Sequence, residues 1–300
     1  MSPVPTVLGR PVWYEPLRSP SWLLPAASAG APRVTFSPAA AVEGESVSER
    51  RIREGLPMFL AEAIRFSTEA RTAAVFDPEA RGEASVHATV ALEGEGPERR
   101  LVVRVGDPGS EAFTQQVPDD EALEDALGAL PVATASALRE AGVRSLWSTV
   151  YQPPGHGHAA DYVRAHALCR RLMDHDAYRD IGGDAEATAE RRAGLDAAYR
   201  SLAELAGRVP SPLAAMLFFA GLAAGHDAGS GAYQGFRLSA NGRCTTATDP
   251  RDPVFRMSIL VFRLLGDPVI AAQRVRQLGV VDDPDLAAWL TRIEDVGAVS

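Results

Sequence analysis

The chain contains 300 residues, 46% of them apolar and 23% charged, which is typical of a globular protein with room for two domains and excludes a disordered or collagen-like chain. All 30 basic residues are arginine, so chemistry that needs a lysine Schiff base, a P-loop lysine or a lysine general base is excluded. The net charge of -9 disfavours nucleic acid and anionic lipid as partners, because phosphate groups bind basic surfaces.

The cysteine content and the absence of long apolar runs indicate a compartment. Cys169 and Cys244 lie far apart in the chain and do not form the pattern of a secreted disulfide scaffold. No run of about 18 apolar residues predicts a membrane span, and the apolar stretch at Trp22 is too short and too rich in proline for a signal peptide. We therefore expect reduced thiols and a cytoplasmic location.

Residues 1–32 are rich in proline and contain two of the four tryptophans. Proline at this density excludes helix and sheet interiors, which predicts an extended arm. A disordered tail would be poor in aromatic residues, so this arm is expected to dock onto a surface. It either packs on its own chain or binds a partner protein, and the partner-binding candidates are Trp13, Tyr14, Trp22 and Leu23.

Residues 33–151 are predicted to form a small α/β domain. Residues 33–36 alternate like a strand, and Ser46 with Glu49 has the pattern of a capping box at the start of a helix. The helix that follows has one apolar face, formed by Ile52, Leu56, Phe59, Leu60, Ala63 and Ile64. Pro57 predicts a kink in that helix or a later start.

The rest of this domain is predicted to be a strand, a meander and a helix. A strand is expected over residues 72–76, followed by antiparallel strands over 86–92, 101–105 and 112–117. The following helix is capped by Asp119 or Asp120, and Pro131 is expected to interrupt it. This order of elements indicates a mixed or antiparallel sheet with helices packed on it.

The run from Ser48 to Ile64, SERRIREGLPMFLAEAI, is followed by a strand, a meander that ends in a polar Gln-Gln strand, and a helix. This succession resembles the amino-terminal domain of TolB and its relatives in bacterial regulators, in which a helix of similar pattern follows the first strand. The resemblance covers about residues 33–142. It implies a bacterial interaction module without catalytic residues.

Residues 152–160 are predicted to be a linker because proline and glycine are frequent there. The domain from residue 161 to residue 300 is predicted to be helical, apart from a long glycine-rich loop over residues 225–250. Its last three helices begin behind Asp-Pro pairs, at Asp252, Asp267 and Asp283, which place a cap before a first-turn proline. Short helices joined in this way resemble a tetratricopeptide-like helical repeat, a type of array that holds other proteins.

Four of the six histidines lie between residues 156 and 175. His156 and His158 lie two residues apart in the predicted linker, and His166 and Cys169 lie three residues apart on one helix face. Both spacings allow zinc ligation. The alternative is that the linker histidines are solvated and that Cys169 belongs to the core. Apart from this alternative zinc site, no cofactor is predicted.

The predicted fold class is α+β, with a small α/β domain followed by an all-α, repeat-like domain. Tyr233, Phe236 and Arg237 in the predicted loop are further candidates for contact with a partner, although such aromatic residues also anchor loops. The predicted function is a non-enzymatic adaptor or assembly protein of a bacterial cell, which binds another protein or a second copy of itself. The alternative is an enzyme of unfamiliar type with a metal site in residues 156–175.

Overall fold

The computed structural model describes residues 6–26, 30–41, 44–77, 86–106, 110–146, 157–173, 185–209 and 211–297. It confirms the α+β class, because a mixed six-stranded sheet in the N-terminal part is followed by a helical C-terminal region. The contacts divide the chain into two units. The sheet unit comprises Pro5–Pro11 and Pro25–Ala167, and the helical unit comprises Val12–Leu24 and the chain from Leu168 onward.

The sheet contains a parallel centre and an antiparallel meander. Its strands are β1 (Val7–Leu8), β2 (Arg33–Pro38), β3 (Arg71–Val75), β4 (Val86–Glu93), β5 (Arg100–Val105) and β6 (Ser110–Gln116). Their order across the sheet is β1-β3-β2-β4-β5-β6. The central strand β2 runs parallel to β3 and to β4, whereas β1 pairs with β3, β4 with β5 and β5 with β6 in antiparallel fashion. The meander predicted from the sequence is thereby confirmed.

Two helices pack on this sheet, α1 (Val47–Ser67) on β2 to β4 and α2 (Asp120–Glu140) on β5 and β6. The capping box is confirmed at the start of α1, where Ser46 and Glu49 each accept a hydrogen bond from the other's backbone N–H. Asp119 caps α2 by accepting from the backbone N–H of Ala122 at 2.8 Å. Helix α3 (Ala159–Leu172) contacts α1 through its first turns, with Tyr162 and Phe59 edge to face.

Three details of the sheet unit differ from the sequence predictions. Helix α1 begins at Val47 and continues through Pro57, and α2 continues through Pro131, so the interruption predicted there is wrong. Proline is tolerated because the surrounding apolar face of each helix is buried, which outweighs one missing backbone hydrogen bond. The two-residue strand β1 was not expected, since its signal is too short for an alternation pattern.

The helical unit contains six further helices among its described residues. They are α4 (Ala185–Arg208), α5 (Pro212–Asp227), α6 (Arg237–Thr246), α7 (Pro253–Leu264), α8 (Pro268–Leu278) and α9 (Pro284–Arg292).

Two sequence predictions for this unit can be compared with the structure. The prediction of a long loop over residues 225–250 is wrong, because Ala232–Phe236 is a 3-10 helix that leads directly into α6. The capping prediction is confirmed at Asp252 and Asp283, but Asp267 makes no cap and instead pairs with an arginine described below.

The helices of this unit form an inner and an outer layer. Helix α5 is apolar on all sides and buried along almost its whole length, and it contacts α4 and α7. Helix α7 in turn contacts α5, α6 and α8, and α4 contacts α6. The inner layer is therefore α5 and α7, and the outer layer is α4, α6 and α8. Pairs of an outer and an inner helix follow each other along the chain.

The N-terminal segment Val12–Leu24 is part of the helical unit. The indole N–H of Trp289 in α9 donates to the carbonyl oxygen of Leu17 at 2.9 Å, and the rings of Trp22 and Trp289 meet edge to face with centroids 5.5 Å apart. A turn at Arg18 and Ser19 has left-handed backbone conformations, with φ of 65° and 53°. Such strain persists only where neighbouring contacts fix it, as the helical unit does here.

Candidate protein-interaction surface

Helices α6 and α8 each pack on α7 and are linked near their starts by Arg237. This side chain donates to the carbonyl oxygen of Leu265, at the end of α7, and to the carboxylate of Asp267, which precedes α8. Three successive helices are fixed to one another by this single guanidinium, because its planar fork presents several donors at once.

A second arginine joins α6 and α8 farther along. Arg274 of α8 donates to the carbonyl oxygens of Cys244 and Ala247 at the end of α6, at 3.1 and 2.9 Å. Its guanidinium also lies 4.5 Å from the ring centroid of Phe255 in α7, a cation–π geometry. The start of α6 thus meets the start of α8, and the end of α6 meets the middle of α8, so the two helices run in the same direction.

The faces of α6 and α8 that point away from α7 carry large apolar side chains. Leu238 and Val269 each precede a buried alanine of their helix, Ala240 and Ala271, by two residues, which places them about 200° around the helix from it. Leu238 is 84% exposed, Val269 77% and Ile270 40%. We call Leu238, Val269 and Ile270, together with the exposed Arg276 of α8, the α6–α8 surface.

Helix α8 packs on α7, but the described residues leave its outer side uncovered. Ala271 is the buried residue of α8 in the structure, while Val269 and Ile270 face solvent. Burying an aliphatic side chain is worth about 1.5 to 3 kcal/mol, so a partner that covers these side chains gains binding free energy from each. The sequence analysis missed Leu238, Val269 and Ile270. The sequence shows that these three side chains are apolar, but it does not show which face of each helix packs against α7.

The three candidates of the predicted loop help to build this part of the unit. Tyr233 is buried, and its hydroxyl donates to the carbonyl oxygen of Leu264 at 3.3 Å. Phe236 packs on Tyr199 of α4 with ring centroids 5.5 Å apart. Arg237 makes the contacts described above. The structure therefore brings these residues together as anchors of α6, beside the exposed Leu238.

The four candidates of the N-terminal arm lie in the segment that packs on the helical unit. Trp13 and Leu23 are buried, Tyr14 and Trp22 are half-buried, and the Arg256 guanidinium lies 5.6 Å from the ring centroid of Trp22. These placements favour the alternative in which the segment packs on its own chain. A partner would reach Trp13 and Leu23 only if the segment left its place.

An ion pair holds the same segment to the end of α5. Both terminal nitrogens of Arg18 donate to the Asp227 carboxylate at 2.6 Å. Burial opposes ionisation of Asp227, but the hydrogen bonds and charge of Arg18, with a smaller contribution from His226, outweigh it and lower the pKa of this carboxyl. The hydrogen bond to Asp227 raises the pKa of Arg18 in turn. The pair is structural, since all of its partners belong to the chain.

The proposed zinc ligands are only partly within the described residues. His156 and His175 lie outside them, and His158 is half-buried just before α3. His166 and Cys169 are fully buried in α3. The other cysteine, Cys244, is also buried, and burial raises the pKa of its thiol to about 12. Within the described ranges, no group of three or more His, Cys, Asp or Glu side chains is arranged to hold a metal ion.

His166 instead belongs to a buried polar network with Glu62 of α1. The Tyr162 hydroxyl donates to Glu62 Oε1 at 2.5 Å, and His166 Nε2 lies 3.5 Å from the same oxygen. The other ring nitrogen, Nδ1, lies 2.9 Å from the carbonyl oxygen of Tyr162. A carboxyl group in an apolar core requires such partners. Glu62 was not predicted as a core residue, because nothing in the sequence distinguishes it from Glu49 and Glu54 of the same helix, which are half-buried.

A groove of about 770 Å³ lies beside β6 and the second half of α2. Its polar lining includes His87, Glu111 and Glu140. His87 Nδ1 is 2.7 Å from the hydroxyl of Thr35, and Glu111 pairs with Arg104 at 3.2 Å. Two of these three groups are thus engaged within the sheet, and the groove offers no convergent catalytic arrangement.

The fold and these sites define an α+β protein with a two-layered helical unit and an exposed apolar surface on its outer layer. Comparison with known proteins adds nothing further: no protein-family model and no curated protein sequence matches the chain. Of the helices in the described part of the chain, none is long and apolar enough to cross a bilayer.

Proposed function

We propose that this chain is a non-enzymatic adaptor that binds another protein through the α6–α8 surface. The observation that carries the proposal is the exposure of Leu238 and Val269 on neighbouring outer helices that arginines hold in a fixed arrangement. Single exposed apolar residues are ordinary on a protein surface, but exposed aliphatic side chains on two helices that share α7 and are linked by arginines offer a partner more than one contact.

The layer arrangement supports this proposal. Arrays built from pairs of helices use the face of one layer to hold other proteins, and α4, α6 and α8 form such a layer here. The proposed likeness to tetratricopeptide-type repeats rests on the same arrangement, and the proposed likeness of the sheet unit to TolB amino-terminal domains rests on its order of elements. We further propose the bacterial cytoplasm as the compartment, which is favoured by two buried cysteines that are not joined in a disulfide.

The experiment is a quantitative pull-down from the native cells with the tagged full-length chain and two variants, Val269→Asp and Val132→Asp. Val269 is 77% exposed in α8 and Val132 is 72% exposed in α2, so the second variant is a matched control on a different element. An aspartate in the first turn of α8 also favours the helix, so Val269→Asp is expected to fold.

We expect a stoichiometric partner that the wild type and Val132→Asp retain and that Val269→Asp loses by at least tenfold. If the wild type and both variants retain the partner equally, the partner binds a different surface. If none of the three chains retains a reproducible partner, the adaptor proposal is wrong. If the partner is a second copy of the chain, light scattering will show a dimer that Val269→Asp dissociates.

A further inference from the structure

Helices α6 and α8 are strongly basic within an acidic chain. They carry Arg237, Arg243, Arg274 and Arg276 and no aspartate or glutamate, whereas the whole chain has a net charge of -9. A local reversal of charge on a solvent-facing layer imposes a preference on any partner, since complementary charge steers association and like charge opposes it.

The hydrogen bonds of these arginines leave much of their charge uncompensated. Arg274 donates to two main-chain carbonyl oxygens, and Arg243 donates to the carbonyl oxygen of Val209 at 3.4 Å. Carbonyl groups fix the side chains without neutralising them. Arg276 is exposed. It lies on the same outer face of α8 as Val269 and Ala272, about one helical turn beyond Ala272. Arg237 is different, because the Asp267 carboxylate balances its charge.

The charge of Arg276 therefore lies on the same face of α8 as the exposed Val269. Val269, Ala272 and Arg276 follow one another at helical spacing, and Leu238 lies on the neighbouring helix that Arg274 fixes. A nucleic acid offers negative charge but no aliphatic groups to cover Leu238 and Val269, and the net charge of the chain repels it. A protein segment can supply both properties at once.

From this complementarity we infer that the α6–α8 surface binds an acidic polypeptide segment that carries aliphatic side chains. The inference rests on the proposed adaptor function and specifies the chemistry of its partner. The aliphatic groups of the segment cover Leu238, Val269 and Ile270, and its carboxylates face the exposed Arg276. The affinity falls with rising salt, because the charges at the rim of the site stay accessible to water.

The test uses a displayed library of random peptides of 16 residues, which is about four turns of helix. Peptides are selected for binding to the full-length chain, and those that also bind the Val269→Asp variant are removed. We expect the enriched peptides to have a net negative charge and at least two aliphatic residues. A labelled peptide from this set is then measured by fluorescence anisotropy at low and high salt. Arg276→Glu is expected to weaken it at least tenfold, and Val132→Asp to leave it unchanged.

The outcomes separate this inference from the adaptor proposal. Peptides that depend on Val269 but are neutral or basic, or that tolerate Arg276→Glu, would overturn the acidic-partner inference and leave the binding surface in place. The absence of any Val269-dependent peptide would overturn both. A labelled single-stranded RNA of the same length serves as a further probe, and its binding with the same dependence on Val269 and Arg276 would replace the inference with nucleic-acid recognition.

Discussion

At the scale of single residues, the Arg18–Asp227 pair links the start of the chain to the end of α5 and makes stability depend on pH. Because the pKa of Asp227 is lowered in the folded state, its contribution is fully present above the unfolded pKa of about 4 and is lost as the pH falls through the lower folded value. Asp227→Asn is expected to reduce the free energy of unfolding by about 1 to 2 kcal/mol at pH 7.

Urea unfolding at pH 7, 4 and 3 checks this prediction, with the exposed Asp295→Asn as the control variant. The difference between wild type and Asp227→Asn should shrink below pH 4 and disappear once the carboxyl is protonated in both states. A difference that persists unchanged at pH 3 would mean that Asp227 acts through packing and not through its charge.

The buried network of Glu62, Tyr162 and His166 makes a second prediction at this scale. Tyr162→Phe removes the hydroxyl that donates to Glu62 and leaves a buried carboxyl oxygen short of a partner, which is expected to cost about 1 to 3 kcal/mol. The double variant Tyr162→Phe/Glu62→Gln should cost less than the sum of the single changes, because the two groups contact each other. Strict additivity in chemical denaturation would contradict a direct coupling between them.

At the scale of elements, two helical glycines offer a matched comparison. A Cβ at Gly55 in α1 would lie 2.0 Å from the carbonyl oxygen of Val163 in α3, whereas one at Gly194 in α4 would meet nothing within 4 Å. Gly55→Ala should therefore destabilise the chain by about 1 to 3 kcal/mol, as overpacking does. Gly194→Ala should stabilise it by about 0.5 to 1 kcal/mol, because alanine favours the helix.

Thermal unfolding of both variants against wild type measures these opposite shifts. If Gly55→Ala were neutral, α1 and α3 would have to be free to move apart, and the close contact between them would not be a fixed part of the core. If Gly194→Ala were destabilising, the exposed half of α4 would need a contact beyond those that the structure describes.

Most of the elements could be predicted from the sequence, and the reason is local. The capping box at Ser46, the alternation in β4 and the Asp-Pro helix starts at Asp252 and Asp283 are signals carried within a few residues. The proposed binding surface could not be predicted, because the exposure of Leu238 and Val269 depends on which face of each helix meets α7. The error over residues 225–250 has the same origin: glycine suggested a loop, but burial of Tyr233 and Ala240 stabilises helices there.

At the scale of the whole molecule, the segment Val12–Leu24 is a structural part of the helical unit. Trp13 is completely buried, so Trp13→Ala is expected to lower the free energy of unfolding by about 3 to 5 kcal/mol. The exposed neighbour Glu15 provides the control, Glu15→Ala, which should change stability by less than about 0.5 kcal/mol. A free partner-binding arm would instead give a small effect for both variants, and denaturation by urea distinguishes the two outcomes.

The hydrogen bond from Trp289 to Leu17 also bears on how the protein is made. It joins residues 272 positions apart, and contacts between such distant positions slow folding. On the ribosome, all elements of the sheet unit emerge before α9 does, so that unit can acquire its strands and helices while synthesis continues. The segment Val12–Leu24 can complete its contacts only when α9 has left the exit tunnel, because Trp289 of α9 donates to the Leu17 carbonyl oxygen and packs on Trp22. Until then the nascent chain leaves Trp22 without its packing partner in α9, and an aromatic side chain left partly uncovered is a feature that chaperones bind.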